Sequence, residues 1–167
     1  ITVPNVKKEF DLALRKYITK VDDKEYNRAP NVDLSGLKNG TTAIYNHTKD
    51  PIVVERNSKI TYTIRVYNEG DIDGYAKLVS DDIPDGLKYL PENDTNKEYR
   101  WVMYDKDGKE TTEVGNAEKI TTDYLSKEQE KTDGENLLKA FDKEGEIGDK
   151  NPDYRDIKVA FEVVEPN

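Results

Sequence analysis

The segment Lys59–Tyr67 alternates between two sets of side chains, and this period of two restricts the fold more than any other feature of the chain. A β-strand places successive side chains on opposite faces, so such alternation predicts a strand with one face in the core. Most of the residues are β-branched or aromatic, the types that are enriched in strands. The row predicted to face the core consists of Ile60, Tyr62, Ile64 and Val66. A strand with one apolar face needs a second layer to cover it.

Other runs of strand-like composition are separated by turn residues along the chain. They predict strands over Phe10–Ile18, Tyr75–Ile83, Arg100–Tyr104, Lys109–Val114 and Ile157–Val163, with Leu87–Pro91 extended and Ile52–Val54 as an edge strand. The turn residues Asp105–Gly108 predict a hairpin. In the final strand we expect Ile157, Val159, Phe161 and Val163 to face the core. About seven short strands with turns between them predict an all-β, immunoglobulin-like β-sandwich.

Long loops and short helical turns are expected to connect these strands. Thr19–Asn39 is polar and broken by proline and glycine, so we expect a long surface excursion there. Ser126 is the candidate N-cap of one or two helical turns within Tyr124–Lys131. Asn136–Phe141 fits a helix or a strand equally well at its length. We expect a linker over 1–9 and a single domain over 10–167, with a charged loop over 145–153.

Composition excludes several classes of partner and chemistry. The chain of 167 residues is long enough for one domain with its own core. Its 26 basic and 35 acidic residues give a net charge of −9, which repels nucleic acid and anionic membrane surfaces. The chain has no cysteine, so a covalent staple needs chemistry other than a disulfide, and no apolar run is long enough to insert into a membrane. With no signal peptide or sorting tail, we expect an excised part of a longer protein.

One lysine interrupts the apolar row of the first predicted strand. Lys16 falls on the same face as Phe10, Leu12, Leu14 and Ile18. The opposite face, which we expect to be the wetter one, carries Asp11, Ala13, Arg15 and Tyr17. An ammonium on a core-facing row is costly unless it is paired or loses its charge. Two interpretations stay open: Lys16 reaches past the end of the row to water, or it is kept inside the protein for a chemical purpose.

Two further segments resemble a known family. Thr61–Asp71 reads as a strand that ends in an Asn-Glu-Gly-Asp turn, and Asp81–Leu87 reads Asp-Asp-Ile-Pro-Asp-Gly-Leu. In these motifs the chain resembles the immunoglobulin-like repeat modules of Gram-positive cell-surface proteins. Phe10–Ile18 and 154–167 resemble clostridial members of that group, so the similarity covers most of the chain. The resemblance implies an extracellular stalk or adhesin module that is attached to the cell wall in its parent protein.

Some modules of this kind form an isopeptide bond, and the resemblance implies candidate residues for that chemistry here. In those modules a lysine on the first strand attacks an asparagine on the last strand, helped by a nearby buried carboxylic acid. Lys16 matches the lysine, and Asp81 matches the acid through its position in the turn motif. Asp81 lies two residues after Val79 and two before Ile83, so on a strand it shares a face with these apolar residues, and we expect it to point inward. The alternatives are Asp82, if a bulge shifts the register, and an Asx-turn role for Asp81.

The residue that would accept the lysine is not evident from the sequence. In the resembling modules the asparagine lies on a strand that follows the segment matching 163–167, and this chain ends there. Asn167 is therefore a weak candidate, and Asn68, Asn116 and Asn136 lie in predicted turns or ambiguous segments. We expect that the last strand either was removed by truncation or is supplied in trans as a complementary peptide, as in split-protein ligation. The acceptor on that strand is an asparagine or an aspartate.

A second class of function needs no covalent chemistry. An adhesin module of the same fold can hold a host matrix protein or a glycan through its loops and exposed tyrosines. Trp101 and Tyr104 could stack against a sugar, although aromatic residues on strands more often pack in the core. In either class we expect no enzyme, since isopeptide formation is at most a single self-catalysed turnover.

No cofactor or metal is expected. Asp71–Gly74 and Asp105–Gly108 begin like calcium loops but lack the later bidentate glutamate, so hairpin turns explain them better. His47 is the only histidine, which argues against a zinc site and against a Ser-His-Asp triad.

Overall fold

The computed structural model describes residues 10–39, 42–141 and 152–166. The predicted linker over 1–9, most of the predicted loop over 145–153 and Asn167 lie outside the described residues. Within them the chain forms the strands β1 (Leu12–Val21), β2 (Lys24–Glu25), β3 (Asn31–Asp33), β4 (Ile44–Asn46), β5 (Lys59–Asn68), β6 (Val79–Asp82), β7 (Leu87–Tyr89), β8 (Val102–Tyr104), β9 (Lys119–Thr122) and β10 (Tyr154–Val163). It also forms the short helices α1 (Ser35–Asn39) and α2 (Asp94–Glu98), and 3₁₀ turns at Val114–Asn116 and Lys127–Gln129.

The strands form two sheets that pack face to face and a small third sheet. The larger sheet has the order β2-β1-β5-β10-β7, the opposing sheet has the order β6-β9-β8, and β3 pairs with β4. All of these pairings are antiparallel. The strongly alternating β5 lies between the two other long strands, β1 and β10. The centre of the larger sheet is therefore built from the segments with the clearest strand pattern.

The main core lies between the two larger sheets. The larger sheet contributes the rows that the sequence predicts to face inward, with Ile60, Ile64, Val66, Ile157, Val159 and Phe161 all buried. The opposing sheet contributes Val79, Met103 and Ile120 to the same core. Because apolar residues of both sheets meet in one cluster, the predicted all-β sandwich with short helical turns is confirmed.

The outer face of β1 and β5 is also covered, which corrects the expectation that it would be wet. Tyr17 is buried, and Tyr67 packs on Tyr45 of β4 with their ring centroids 4.7 Å apart. The buried Glu69 carboxylate accepts hydrogen bonds of 2.8 Å from the Ala43 backbone amide and from the Tyr45 hydroxyl. These hydrogen bonds and the contact between the two tyrosine rings hold the pair β3–β4 against the outer face of the larger sheet.

The prediction of a surface excursion over Thr19–Asn39 was wrong. This segment contains the end of β1, all of β2 and β3, and α1, in which Leu37 is fully buried. The register of β1 against β5 shifts between Ile18 and Lys20, which marks a β-bulge at Thr19. The two short strands of this segment lie at the edge of the larger sheet (β2) or in the outer layer (β3). They therefore lack the apolar alternation that marks a half-buried strand.

Three other predicted strands differ from the structure. Ile52–Val54 forms no strand, and Val53 is 90% exposed. Tyr75–Ile83 is a strand only over β6. Lys109–Val114 is not a strand either: it meets β8 in an isolated bridge between Tyr104 and Glu110, while β8 pairs with β9, whose only aliphatic residue is Ile120. A single apolar residue produces no periodicity, and β9 is a strand because it lies between β6 and β8.

The helical predictions hold only in part. Ser126 precedes the 3₁₀ turn Lys127–Gln129, as expected, but its side chain makes no capping hydrogen bond. Asn136–Phe141 forms neither a helix nor a strand. An isolated bridge between Leu138 and Gly74 fixes this segment to the loop that follows β5.

Side chains close part of the outer edge of β10, where a neighbouring strand is lacking among the described residues. β7 pairs only with Phe161–Val163. Next to it the Ala160 amide donates to Asn96 Oδ1 at 2.7 Å, and Asn96 Nδ2 donates to the Ala160 carbonyl at 2.9 Å. The Trp101 indole N–H donates to the Lys158 carbonyl at 2.7 Å. These bonds replace the ladder that another strand would make.

We predict that Asn96→Ala lowers the free energy of unfolding by about 2–4 kcal/mol, because it leaves buried polar groups of Ala160 without partners. Urea denaturation measures this effect. The matched control is Asn93→Ala, which removes the N-cap of the same helix and should cost only about 1 kcal/mol. Equal losses in the two variants would contradict a ladder-replacing role for Asn96.

We predict a loss of stability between about pH 10 and pH 12 that depends on Tyr89. Burial raises the pKa of Tyr89 to about 12, against about 10 in the unfolded chain. The unfolded chain therefore loses the phenolic proton first, and the free energy of unfolding falls by about 2–3 kcal/mol across this interval. Urea denaturation at stepped pH should show a smaller fall in Tyr89→Phe. An identical fall in that variant would contradict the assignment.

Candidate functional site

The register of β1 decides where the Lys16 side chain points. Lys16 lies opposite Ile64 in the β1–β5 pairing, and Ile64 belongs to the core-facing row of β5. The Lys16 side chain, 26% exposed, therefore lies on the inner face of the larger sheet. Its Nζ is 2.8 Å from Oδ2 of Asp81 on β6, and the Asp81 side chain is 17% exposed. An amine and a carboxylate thus meet between the two sheets.

Both residues of this pair lie on strands at the border of their sheets. β6 is one of the two edge strands of the opposing sheet. β1 is paired with β5 along its length but with β2 only at Lys20 and Val21. The pair of Lys16 and Asp81 therefore joins the two sheets at one side of the sandwich.

Two aromatic rings surround the amine. Lys16 Nζ lies 4.5 Å from the ring centroid of Tyr62 and 5.5 Å from that of Phe161. The two rings are in edge contact, with their centroids 6.0 Å apart. Burial, and in smaller part the negative charge of Asp81, raises the pKa of Tyr62. The rings hold the amine by cation–π attraction and limit its contact with water.

The carboxylate of Asp81 is incompletely satisfied. Its Oδ2 is buried, and among the described residues it makes a contact of 2.8 Å with Lys16 Nζ, an ion pair. Each carboxylate oxygen has two lone pairs and can accept more than one hydrogen bond. Asp81 therefore retains capacity for a further polar group beside Lys16.

The structure brings Asp81, and not Asp82, to the lysine. Asp81 lies opposite Ile120 of β9, a fully buried core residue, which places its side chain on the inner face as its parity predicts. Asp82 is exposed and lines a groove on the outer face of the same sheet. No bulge interrupts the pairing of β6 with β9, so the register shift that would favour Asp82 is absent there.

The asparagines considered from the sequence have other positions or structural roles. Asn68 Nδ2 donates to the carbonyls of Ile72 and Leu138. Asn136 Nδ2 donates to two loop carbonyls, of Tyr124 and Ser126. Asn116 lies in a 3₁₀ turn, and Asn167 is outside the described residues. None of these hydrogen bonds within the described residues is made to Lys16.

The aromatic and metal motifs of the sequence have structural explanations. Trp101 is buried, with its indole N–H used by Lys158, so it offers no platform for a sugar. Asp105 accepts hydrogen bonds from the amides of Asp107 and Lys109, as a hairpin turn requires. Within the described ranges no group of histidine, aspartate and glutamate side chains is arranged to hold a metal ion.

The aromatic neighbours of Lys16 are the part of the site that sequence reasoning missed. The pattern places Tyr62 and Phe161 on inward rows, but it gives no sign that they flank the lysine. That proximity depends on the register, in which Ile18 lies opposite Tyr62 and Phe161 lies opposite Ile60. A pairing register is fixed by the whole sheet and cannot be read from one strand.

Comparisons of the chain with models of protein families, with curated proteins and with solved structures gave no match in any of the three. The resemblance to Gram-positive surface modules therefore remains a prediction. In the described part of the chain, no helix has the length and apolar character that crossing a membrane requires.

We predict that Lys16→Met lowers the free energy of unfolding by about 1–3 kcal/mol, because it leaves Asp81 without a counter-charge. The double variant Lys16→Met with Asp81→Leu should return to within about 1 kcal/mol of the parent or exceed it. Urea denaturation of the full cycle measures both.

The control for this cycle is Lys97→Met, which breaks an exposed ion pair with Glu92 and should change stability by less than about 1 kcal/mol. If Lys16→Met were as harmless as Lys97→Met, the pair of Lys16 and Asp81 would not be an interaction of the protein interior.

Proposed function

We propose that this chain is a cell-surface β-sandwich module in which Lys16 forms an isopeptide bond with an asparagine or aspartate on an additional β-strand. The observation that carries the proposal is the contact of 2.8 Å between Lys16 Nζ and Asp81 Oδ2 inside the sandwich. Asp81 is the acid that relays protons. The strand that brings the acceptor is a complementary peptide or a further strand of the parent protein.

The reaction begins with a proton transfer within the pair. The Lys16 ammonium gives a proton to the Asp81 carboxylate, which produces a neutral amine and a neutral carboxylic acid in contact. The acid can then donate its proton to the side-chain carbonyl of the acceptor.

The bond then forms by nucleophilic substitution at the acceptor. The amine lone pair attacks the carboxamide carbon, making the N–C bond of the new amide. Asp81 takes a proton from the attacking nitrogen and delivers one to the leaving nitrogen. The old C–N bond breaks and ammonia departs; with an aspartate acceptor, water departs instead. No oxidant, cofactor or external energy source is needed, and the chain is modified once rather than turning over.

The surroundings favour both the formation and the persistence of this bond. Tyr62 and Phe161 border the amine and limit the access of water, which would otherwise hydrolyse or compete with the reacting groups. A chain without cysteine cannot form a disulfide, and an amide between strands constrains the unfolded state in the same manner. This mechanical role supports an extracellular, cell wall-attached stalk or adhesin.

A second candidate is an adhesin module that binds a host protein or glycan without covalent chemistry. The observation in its favour is a groove of about 530 Å³ on the outer face of β6, β9 and β8. Leu78, which lines this groove together with Tyr104, is 60% exposed. Binding at this groove would not depend on Lys16, which faces the opposite side of the sheet.

The proposal predicts a covalent adduct with strand-forming peptides that contain one asparagine or one aspartate. Intact mass spectrometry should show the sum of the two masses less about 17 Da for asparagine or about 18 Da for aspartate, the masses of ammonia and water. Tandem mass spectrometry should place the bond at Lys16. Asp81→Asn should slow the reaction at least about 100-fold, the effect typical of losing a general acid–base.

The control variants separate this reaction from other lysine chemistry. Lys16→Arg keeps the positive charge but has no nucleophilic amine, so it should give no adduct. Lys97→Arg changes an exposed lysine and should react like the parent. Adducts at other lysines, or an unchanged rate in Asp81→Asn, would refute the assigned roles.

A further inference from the structure

Tyrosine is the most accessible oxidisable type of residue in this chain. The chain has eleven tyrosines, one tryptophan, one methionine and no cysteine. Trp101 and Met103 are both buried in the main core. Susceptibility to oxidation follows exposure, and the cysteine and methionine side chains that are the usual targets are here absent or buried. A one-electron oxidant therefore meets tyrosine rings first.

Among the described residues three pairs of tyrosine rings are in contact, and one pair differs from the others in its exposure. The rings of Tyr45 and Tyr67 have centroids 4.7 Å apart, but both residues are buried. Tyr154 contacts the same buried Tyr67. The rings of Tyr99 and Tyr124 also have centroids 4.7 Å apart, with 55° between their planes, and both residues are only partly buried. Solvent can therefore reach both members of this last pair.

Hydrogen bonds of the neighbouring residues hold the two rings together. The Thr122 hydroxyl donates to the Tyr99 carbonyl and accepts from the Tyr124 amide at 3.1 Å. Arg100 Nε donates to Asp123 Oδ1 at 3.2 Å, and each residue of this ion pair is the chain neighbour of one of the tyrosines. The two turns that carry the rings are thus fixed to each other in addition to the ring contact.

We infer that Tyr99 and Tyr124 are a modification site, at which a haem peroxidase with hydrogen peroxide forms an intramolecular dityrosine bond. The site is separate from Lys16 and Asp81, and it does not depend on the proposed isopeptide chemistry. Because the partner ring is already in contact, each ring has a high effective concentration of the other. Coupling within one chain is therefore faster than coupling between chains.

The reaction removes one electron and one proton from each phenol, which produces two phenoxyl radicals. Their unpaired spin lies partly on the ring carbons next to the carbon that bears oxygen. A C–C bond forms between two such carbons, one on each ring. The hydrogen on each of these carbons then leaves as a proton, and a proton returns to each phenolic oxygen. One hydrogen peroxide takes up the two electrons and two protons through the haem and becomes two water molecules.

The new bond joins the two sheets on the side away from Lys16. Tyr99 is the C-cap of α2, which is attached to β10 of the larger sheet through Asn96. Tyr124 follows β9 of the opposing sheet, and β10 and β1 lie on opposite sides of β5. A cross-link between distant segments constrains the unfolded chain as a disulfide does. In a chain without cysteine, dityrosine therefore supplies a covalent staple without sulfur.

The test treats the full chain, at micromolar concentration, with a haem peroxidase and one equivalent of hydrogen peroxide. Intact mass spectrometry should show a monomer that is lighter by two hydrogen atoms and has the blue fluorescence of dityrosine. Tandem mass spectrometry should find the peptides of Tyr99 and Tyr124 joined. The yield per chain should not change on tenfold dilution, because coupling within one chain is independent of concentration. The cross-linked chain should also unfold at a higher urea concentration than the untreated chain.

Matched variants test the assignment to this pair. Tyr99→Phe and Tyr124→Phe each remove one phenol and should lower the yield of dityrosine about tenfold or more. Tyr104→Phe changes a partly buried tyrosine that contacts no other tyrosine ring among the described residues, so it should couple like the parent. Each substitution removes only a hydroxyl, so the variants are expected to fold, which thermal denaturation checks.

Several outcomes would overturn this inference. They are an unchanged yield in Tyr99→Phe, dimers in place of the lighter monomer, joined peptides of Tyr45 and Tyr67, and oxidation of Trp101 or Met103 in place of tyrosine. Lys16→Ala should couple like the parent chain. Failure of the isopeptide chemistry would therefore leave this inference intact, and failure of the coupling would leave the proposed function intact.

Discussion

The antiparallel register of β1 against β5 is the constraint on which the rest of the site depends. It sets Lys16 opposite Ile64 and thereby directs the amine between the sheets. A slip of one residue would turn Lys16 outward and bring Arg15 and Tyr17 to the core. Both faces of β1 resist such a slip, because Tyr17 is already buried in the outer layer while Leu12 packs on the main core. The register is thus stabilised from two sides.

The sandwich contains two kinds of ion pair, and the contrast between them is informative. Arg65 of β5 and Asp156 of β10 are direct neighbours in one sheet and make two hydrogen bonds, of 2.8 and 2.9 Å. That pair is bidentate, with each carboxylate oxygen accepting one hydrogen bond. Lys16 and Asp81 instead bridge two sheets through a single contact of 2.8 Å between Nζ and Oδ2. The second arrangement is costly as a purely structural feature, which is why we assign chemistry to it.

Much of the framework could be predicted from the sequence, and the misses share a physical cause. The alternating segments predicted β5 and β10 closely and β1 in part, and the parity of Asp81 predicted its inward direction. The strand β9 and the outer layer of β3 and β4 were missed, because their strands are too short to show a period. Asn96 was missed for another reason: a polar residue in a short helix shows no sign in the sequence that it replaces a strand.

The sequence by itself determined which side chains share a face, because the pleat of a strand imposes a period of two on any segment that pairs. It therefore placed Lys16 and Asp81 on core-facing rows. Only the tertiary structure decided that the two rows meet at these residues, since the contact depends on how two sheets pack and on the register of each. It also decided that Asn96 and Trp101 cover part of the border of β10, and that no strand among the described residues pairs with Leu12–Ile18 on the side of β1 away from β5. Edges are a property of the assembled sheet, and no single strand encodes its neighbours.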